Sequence, residues 1–296
     1  AMTIFSEALK GLGHIRNAIL INGVIYPIVA LLMIYPAATL LGPAGAGLAY
    51  FGGTAVAALV GWLFWRRTEP AQSPLVAVEP EEMRKSARPL WVTNVAHNAI
   101  LPWTPLVLLA VWGTTEEVGI FGVAMRVSLL VSFLLLTVIA VLSPRFATHH
   151  ARGELAEVAA LGRRFSLLTT LAASPLLLIL IFAGDFVMGI FGPDFADGGR
   201  VLAILALGQG IFAATGPVGA ILMMGGRERD MRNITLLSVV VVVILALVLT
   251  PSLTAEGAAI AAASAYAVSG VGLLLMVRFQ FGIWAAPFFP KGPNER

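Results

Sequence analysis

A polytopic bundle of membrane-spanning helices is the all-α fold class this sequence predicts, and three observations predict it. Of 296 residues, 58% are apolar and only 12% charged, about half the charge of a soluble domain, and mean hydropathy is +0.90. The apolar residues fall into eight runs of about 20 or more, the length needed to cross roughly 30 Å of hydrocarbon. Lys and Arg gather in alternate loops. The first observation excludes a cytosolic enzyme, a nucleic-acid reader and a disordered chain. The second excludes a β-barrel, because the runs are continuous and not alternating. Cysteine is absent, so disulfides, thiolate metal sites and cysteine nucleophiles are excluded too.

The eight runs cover residues 18–41, 45–65, 90–112, 118–142, 165–191, 201–224, 234–253 and 255–279. Gly42-Pro43-Ala44 joins the first two and 251–256 joins the last two, so both pairs are expected to be tight hairpins. Orientation follows from the cations. Lys10 and Arg16 precede the first run; Arg66, Arg67, Arg84, Lys85 and Arg88 follow the second. Arg145, Arg152, Arg163 and Arg164 follow the fourth, and Arg227, Arg229 and Arg232 the sixth. Arg278, Lys291 and Arg296 close the chain. Only Arg200 falls in an opposite loop, and Arg126 lies inside a run. Adding or removing one middle span would destroy this segregation. Eight helices with both termini cytoplasmic are therefore expected. The net charge of +3 reads as loop placement and not as a nucleic-acid footprint.

The longest polar stretch contains Pro70, Pro74 and Pro80 and reads as a linker. The expected organisation is two helices in 1–66, a cytoplasmic linker in 67–89, six helices in 90–281 and a cytoplasmic tail in 282–296. The opening segment, Thr3 to Lys10, reads as a connector arriving from elsewhere, without the charged-then-apolar pattern of a cleaved leader.

Enzymatic constellations were sought without success. There is no GxSxG elbow, P-loop or HExxH, and His149, His150 and Glu154 have the wrong spacing for the last. Paired carboxylates occur only in loops: Glu81 with Glu82, Glu116 with Glu117, Asp194 with Asp197, and Glu228 with Asp230. Asp185 lies near an outer helix end. No catalytic residue, metal site or cofactor is expected, and the protein reads as a non-enzyme.

Polar groups at membrane depth cost free energy unless satisfied, so they mark packing seams or substrate paths. Arg126 lies eight residues past Val118, about 12 Å along a helix rising 1.5 Å per residue. A central Arg costs about 2.5–3.5 kcal/mol on insertion scales. Three placements compete for it: a wet cavity wall that attracts an anion, a tie to a neighbouring carboxylate or carbonyl, or snorkelling toward Glu116 and Glu117. Asn94, His97 and Asn98 fall three and four residues apart, with Trp91 a turn earlier, and Pro102 and Pro105 follow. That stripe reads either as a bent helix facing a hydrated interior or as interhelical hydrogen-bond glue, about 0.6 kcal/mol per bond. Asn22 with Tyr26, and Gln209, are weaker cavity candidates. Thr169, Thr170, Ser174, Ser264, Ser269 and the small-residue run 257–265 read as helix packing. Pro27, Pro175 and Pro217 are expected kinks.

Several segments together resemble one family. Val118-Gly119-Ile120-Phe121-Gly122-Val123-Ala124-Met125-Arg126 resembles a VGxYxxAxR entry into a span, and Leu142 to Ala147 its PxxA exit. Phe191-Gly192-Pro193-Asp194-Phe195 resembles an FGxxF outer loop, and Leu222 to Glu228 an LxxxGxxK/R cytoplasmic turn. Pro251 with Glu256-Gly257-Ala258-Ala259 resembles a P..GxxGAA hairpin. In order and spacing these are similar to the polysaccharide (O-antigen, Wzx-type) flippases of the multidrug/oligosaccharidyl-lipid/polysaccharide exporter superfamily.

The resemblance implies two six-helix lobes around a central cavity, of which this chain would supply two helices of the N-terminal lobe and the whole C-terminal lobe, lacking the first four helices. It implies alternating-access transfer of an undecaprenyl-diphosphate-linked oligosaccharide to the outer leaflet of a bacterial or archaeal cytoplasmic (inner) membrane. Arg126 would meet the diphosphate, and Asn94, His97, Asn98 and Gln209 would bond sugar hydroxyls. The implied partners are the lipid-linked oligosaccharide, membrane lipids and other polysaccharide-assembly proteins, with no nucleic acid. The alternatives are a peptidoglycan-precursor flippase, a cation-coupled multidrug exporter, a non-transporting fragment, or a membrane enzyme of polysaccharide assembly.

Overall fold

The computed structural model describes residues 2–12, 14–68, 80–133, 135, 146 and 148–286. All secondary structure among the described residues is helical, and six of the helices are long and apolar enough to cross a membrane. The chain divides into two compact units, Ala1–Ala77 and Val78–Arg296. Large apolar side chains stand exposed on both, among them Leu40 at 81% and Phe279 at 85%. Water would not tolerate so much bare hydrocarbon, whereas acyl chains are a matching solvent.

In the first unit, α1 (Met2–Gly11) and α2 (Ile15–Ile19) precede a π-helical segment, Leu20–Ile25, and then α3 (Tyr26–Leu41) and α4 (Pro43–Arg67). The turn between α3 and α4 rests on Gly42, whose φ of 59° and ψ of −142° suit only glycine. Within α4, a Cβ on Gly45 would lie 2.0 Å from the Ala37 carbonyl oxygen, so the two backbones meet without side chains between them.

The second unit begins with α5 (Pro80–Val95), a second π-segment (Ala96–Ile100) and α6 (Leu101–Trp112). Because α5 starts at Pro80, the last ten residues of the stretch read as linker are helical turns. Then come α7 (Thr115–Ser128), α8 (Leu155–Phe182), the short α9 (Gly184–Gly189), a 3-10 turn (Pro193–Gly198), α10 (Gly199–Ala214), α11 (Val218–Met224) and α12 (Glu228–Phe281). Two runs read as continuous spans are broken. The run 165–191 ends at Ala183, which leaves helical geometry at φ −119° and ψ 29°, and its helix starts earlier, at Leu155. The run 201–224 is interrupted, not merely kinked, between α10 and α11. There Gly216 takes a φ of 74° and Pro217 offers no N–H to continue the ladder. The helical part of the run 118–142 is described as far as Phe133 and at Leu135, and the rest of that run lies outside the described residues.

The 54-residue α12 is not one rod. Thr254 breaks it with φ 45° and ψ −119°, and the two arms, 228–253 and 255–281, fold back on each other. A Cβ on Gly257 would stand 2.4 Å from the Leu249 carbonyl oxygen, and one on Gly272 would stand 2.8 Å from the Ile234 side chain. The Gln280 amide donates to Asp230 at 2.8 Å. Residues 50 positions apart would be about 75 Å apart in a straight helix. Each arm is itself long enough to span hydrocarbon.

Both π-segments end two residues before a proline, Pro27 and Pro102. The cause is steric. A proline ring collides with the carbonyl four residues back, and a wider turn at that point moves the carbonyl aside. The second π-segment carries two of the predicted site residues, His97 and Asn98.

The core of the second unit is layered. One apolar cluster joins Phe121 and Ala124 of α7, Ala173 and Leu180 of α8, Leu202 and Leu205 of α10 and Ala258, Ala259 and Ala262 of α12. Another joins Val158 of α8, Val218 to Leu222 around α11, and Leu273, Leu274 and Val277 of α12. Along α8, α10–α11 and the second arm of α12 alike, the stretch between the two clusters carries polar side chains.

Candidate functional site

That intermediate stretch is a polar belt. On α8, the Ser166 hydroxyl donates to the Ala214 carbonyl at 2.6 Å, at the break that ends α10. The Thr215 hydroxyl donates back to the Phe212 carbonyl at 2.7 Å. Gln209, 1% exposed, accepts a hydrogen bond from the Ser132 hydroxyl on its Oε1 at 2.5 Å and is also bonded to the Tyr266 hydroxyl. One amide thus ties the helix after α7, α10 and the second arm of α12. With its carbonyl oxygen taken by Ser132, its NH2 group is the part left for Tyr266.

His97 enters this belt from the second π-segment. Its ring centre lies 5.8 Å from that of Phe212 and 6.3 Å from that of Tyr266. Phe212 and Tyr266 are themselves 6.2 Å apart, edge to face. The wide turn explains why His97 leaves the stripe it was read with. Trp91, Asn94 and Asn98 stay on the exposed face, and His97 turns toward the helices behind it. Asn98 donates to the Asn94 side-chain oxygen at 2.9 Å and to its carbonyl at 3.1 Å. The two amides form one exposed polar unit, with the Asn94 NH2 group and the Asn98 side-chain oxygen still available to a ligand.

Arg126 is exposed on α7 while Ala124 and Val127, beside it, are buried. It makes no hydrogen bond or ion pair with another described residue. Its stripe continues one and two turns on through Leu130 and Phe133, both exposed. The tie to a neighbouring carboxylate is therefore not what the described residues display. Glu117, one candidate partner for a snorkelling Arg126, is occupied: its carboxylate closes a capping box, accepting the Thr114 N–H at 2.8 Å while Thr114 accepts the Glu117 N–H.

In the first unit, the Asn22 amide donates to Ser6 at 2.7 Å, and Ser6 donates to the Ala18 carbonyl. Asn22 ties α1 to the π-segment, with its Oδ1 buried and without a partner among the described residues. Tyr26 stacks edge to face on Tyr50, ring centres 5.5 Å apart. The candidate residues thus fall into three places: the belt (His97, Gln209), the exposed stripes of the second unit (Asn94, Asn98, Arg126), and the first unit (Asn22, Tyr26).

Ser132, Ser166, Phe212 and Tyr266 were not among the candidate site residues. Tyr266 had a signal, being the only tyrosine after residue 50 and following a run of small residues. Ser132 and Ser166 had none, since a lone serine in an apolar helix reads as packing.

Comparison with protein-family models finds none that matches the chain, and comparison with curated proteins finds no match.

Proposed function

We propose that this protein is a membrane flippase of the polysaccharide-exporter type, carrying a lipid-linked oligosaccharide from the cytoplasmic to the outer leaflet. The observation that carries the reading is Arg126: a guanidinium on the exposed face of an apolar helix, with no partner among the described residues. Such a group is retained against a cost of about 2.5–3.5 kcal/mol only where something answers its charge, and the diphosphate of a polyprenyl-linked sugar is an anion that enters membranes. Asn94 and Asn98 add exposed amides suited to sugar hydroxyls. The motif order read from the sequence supports the same family.

On this reading the chain crosses the cytoplasmic membrane eight times. The arms of α12 are two spans, and the helix that begins with α7 is a further one. Both termini are cytoplasmic, as the distribution of Lys and Arg requires. The work is conformational, with no bond made or broken. The two π-segments and the break at Gly216-Pro217 are the places where helices can bend, since a wide or interrupted turn leaves backbone bonds to be exchanged.

The test is deletion of the gene in its own organism. Lipid-linked repeat units should accumulate on the cytoplasmic side of the membrane and surface polysaccharide should disappear. Unchanged surface polysaccharide contradicts the reading. A peptidoglycan-precursor flippase, which shares the diphosphate, would instead leave surface glycan intact and block wall synthesis.

A further inference from the structure

At the end of the second unit where α5 and α12 begin, a groove of about 490 Å3 is lined by Glu81, Arg84, Arg88, Pro89, Arg229 and Arg232. Arg84 and Arg88 are one turn apart on α5, and Arg229 and Arg232 are three apart on the first turns of α12, so each pair shares a helix face. Packing of α5 against α12 brings the pairs together around Pro89, which is buried at the floor. Among the described lining residues, four guanidiniums therefore face one cleft with one carboxylate. That carboxylate is spent: Glu81 pairs with Arg84 at 3.3 Å. Arg232 is directed to the neighbouring Asn233 side chain, at 2.8 and 3.2 Å. Arg88 and Arg229 make no hydrogen bond or ion pair with another described residue.

We infer that this groove is a binding site for a phosphate-bearing anion, with Arg88 and Arg229 as its principal ligands. Guanidinium forks match phosphate oxygens bidentately, and the volume lies within the range of small-ligand sites. Among the described residues one carboxylate answers four converging cations, an excess of like charge that an anion relieves. The groove borders apolar helices, and cations in such a place also attract the anionic headgroups of the adjoining leaflet. The phosphate has two possible sources, a lipid headgroup or a soluble phosphate compound. The inference does not depend on the flippase reading, because it concerns a different set of arginines and is tested without transport.

The experiment uses the full chain in nanodiscs of neutral phosphatidylcholine, titrated with inorganic pyrophosphate. A second arm measures retention of phosphatidic acid over phosphatidylcholine by native mass spectrometry. Pyrophosphate should bind, and the pair Arg88→Gln with Arg229→Gln should weaken it at least tenfold. The pair Arg152→Gln with Arg164→Gln removes the same charge elsewhere and should leave binding within twofold. Arg88→Lys with Arg229→Lys keeps the charge without the fork and should fall between. Arginine-dependent binding of pyrophosphate alone assigns a soluble phosphate; arginine-dependent retention of phosphatidic acid alone assigns a headgroup; both together assign the shared chemistry. If neither arm depends on Arg88 and Arg229, or if both Gln pairs weaken binding equally, the site is overturned.

Discussion

The carboxylate of Glu117 accepts a hydrogen bond from the hydroxyl of Thr254, and so joins the start of α7 to the break in α12. Thr254 is the only described non-glycine residue with a positive φ. A β-branched side chain is poorly suited to that geometry, which costs on the order of 1–3 kcal/mol. The same residue is thus strained by its backbone and held by its side chain.

Substitutions at Thr254 separate those two effects. Thr254→Gly removes the strain and loses a hydrogen bond worth about 1 kcal/mol. Thr254→Ala loses the bond and keeps the strain. The expected order of Tm is Thr254→Gly, then wild type, then Thr254→Ala, measured on the purified protein. A Gly variant below wild type would mean that the bond, not the backbone, dominates, and a Gly variant no more stable than Ala would mean that the backbone stores no strain.

Acid should weaken this corner. Hydrogen bonds from Thr254 and from the Thr114 backbone hold the Glu117 carboxyl below its ordinary value. A carboxyl whose pKa is depressed in the folded protein stabilises it above the unfolded value, about 4.3, and that contribution is lost as pH falls through the folded value. Wild type and Glu117→Gln should therefore differ in Tm at pH 7 and converge below about pH 4. The difference should be modest, since Glu117 is partly solvated. Thr114→Ala, which opens the capping box, should cost about 1 kcal/mol.

The belt makes a separate prediction. Gln209→Leu strips the partners from the Ser132 and Tyr266 hydroxyls. Interhelical bonds in membranes average about 0.6 kcal/mol, so the two together should cost about 1 kcal/mol. Unfolding of the reconstituted protein checks this against Ser132→Ala, which removes one bond and should cost about half as much.

Much of the architecture was legible because it depends on coarse quantities. Apolar run length placed the helices, and Gly42-Pro43 and Pro251 to Glu256 marked the two hairpins. What was not legible turned on single backbone positions. Ala183 ends a helix inside an unbroken apolar run. The π-segments before Pro27 and Pro102 follow from ring sterics, but whether proline yields a kink, a break or a wide turn depends on neighbouring helices. That is why His97 could be read as sharing a face with Asn94 and Asn98. Arg126 could be found from composition alone, since one cation in an apolar run has no camouflage. The Arg88 and Arg229 groove could not, because it joins residues more than a hundred positions apart.

The central claim is that Arg126 stands in water and not among acyl chains, and the natural sequence favours a direct test. With no cysteine present, Arg126→Cys, Asn98→Cys and Leu171→Cys are each single-thiol proteins. Leu171 is exposed on an apolar face of α8 and serves as the lipid-facing reference. A charged, membrane-impermeant thiol reagent requires an ionised thiol, and thus water, to react. The account predicts rapid labelling at positions 126 and 98 and none at position 171. Position 126 as inert as position 171 would contradict it.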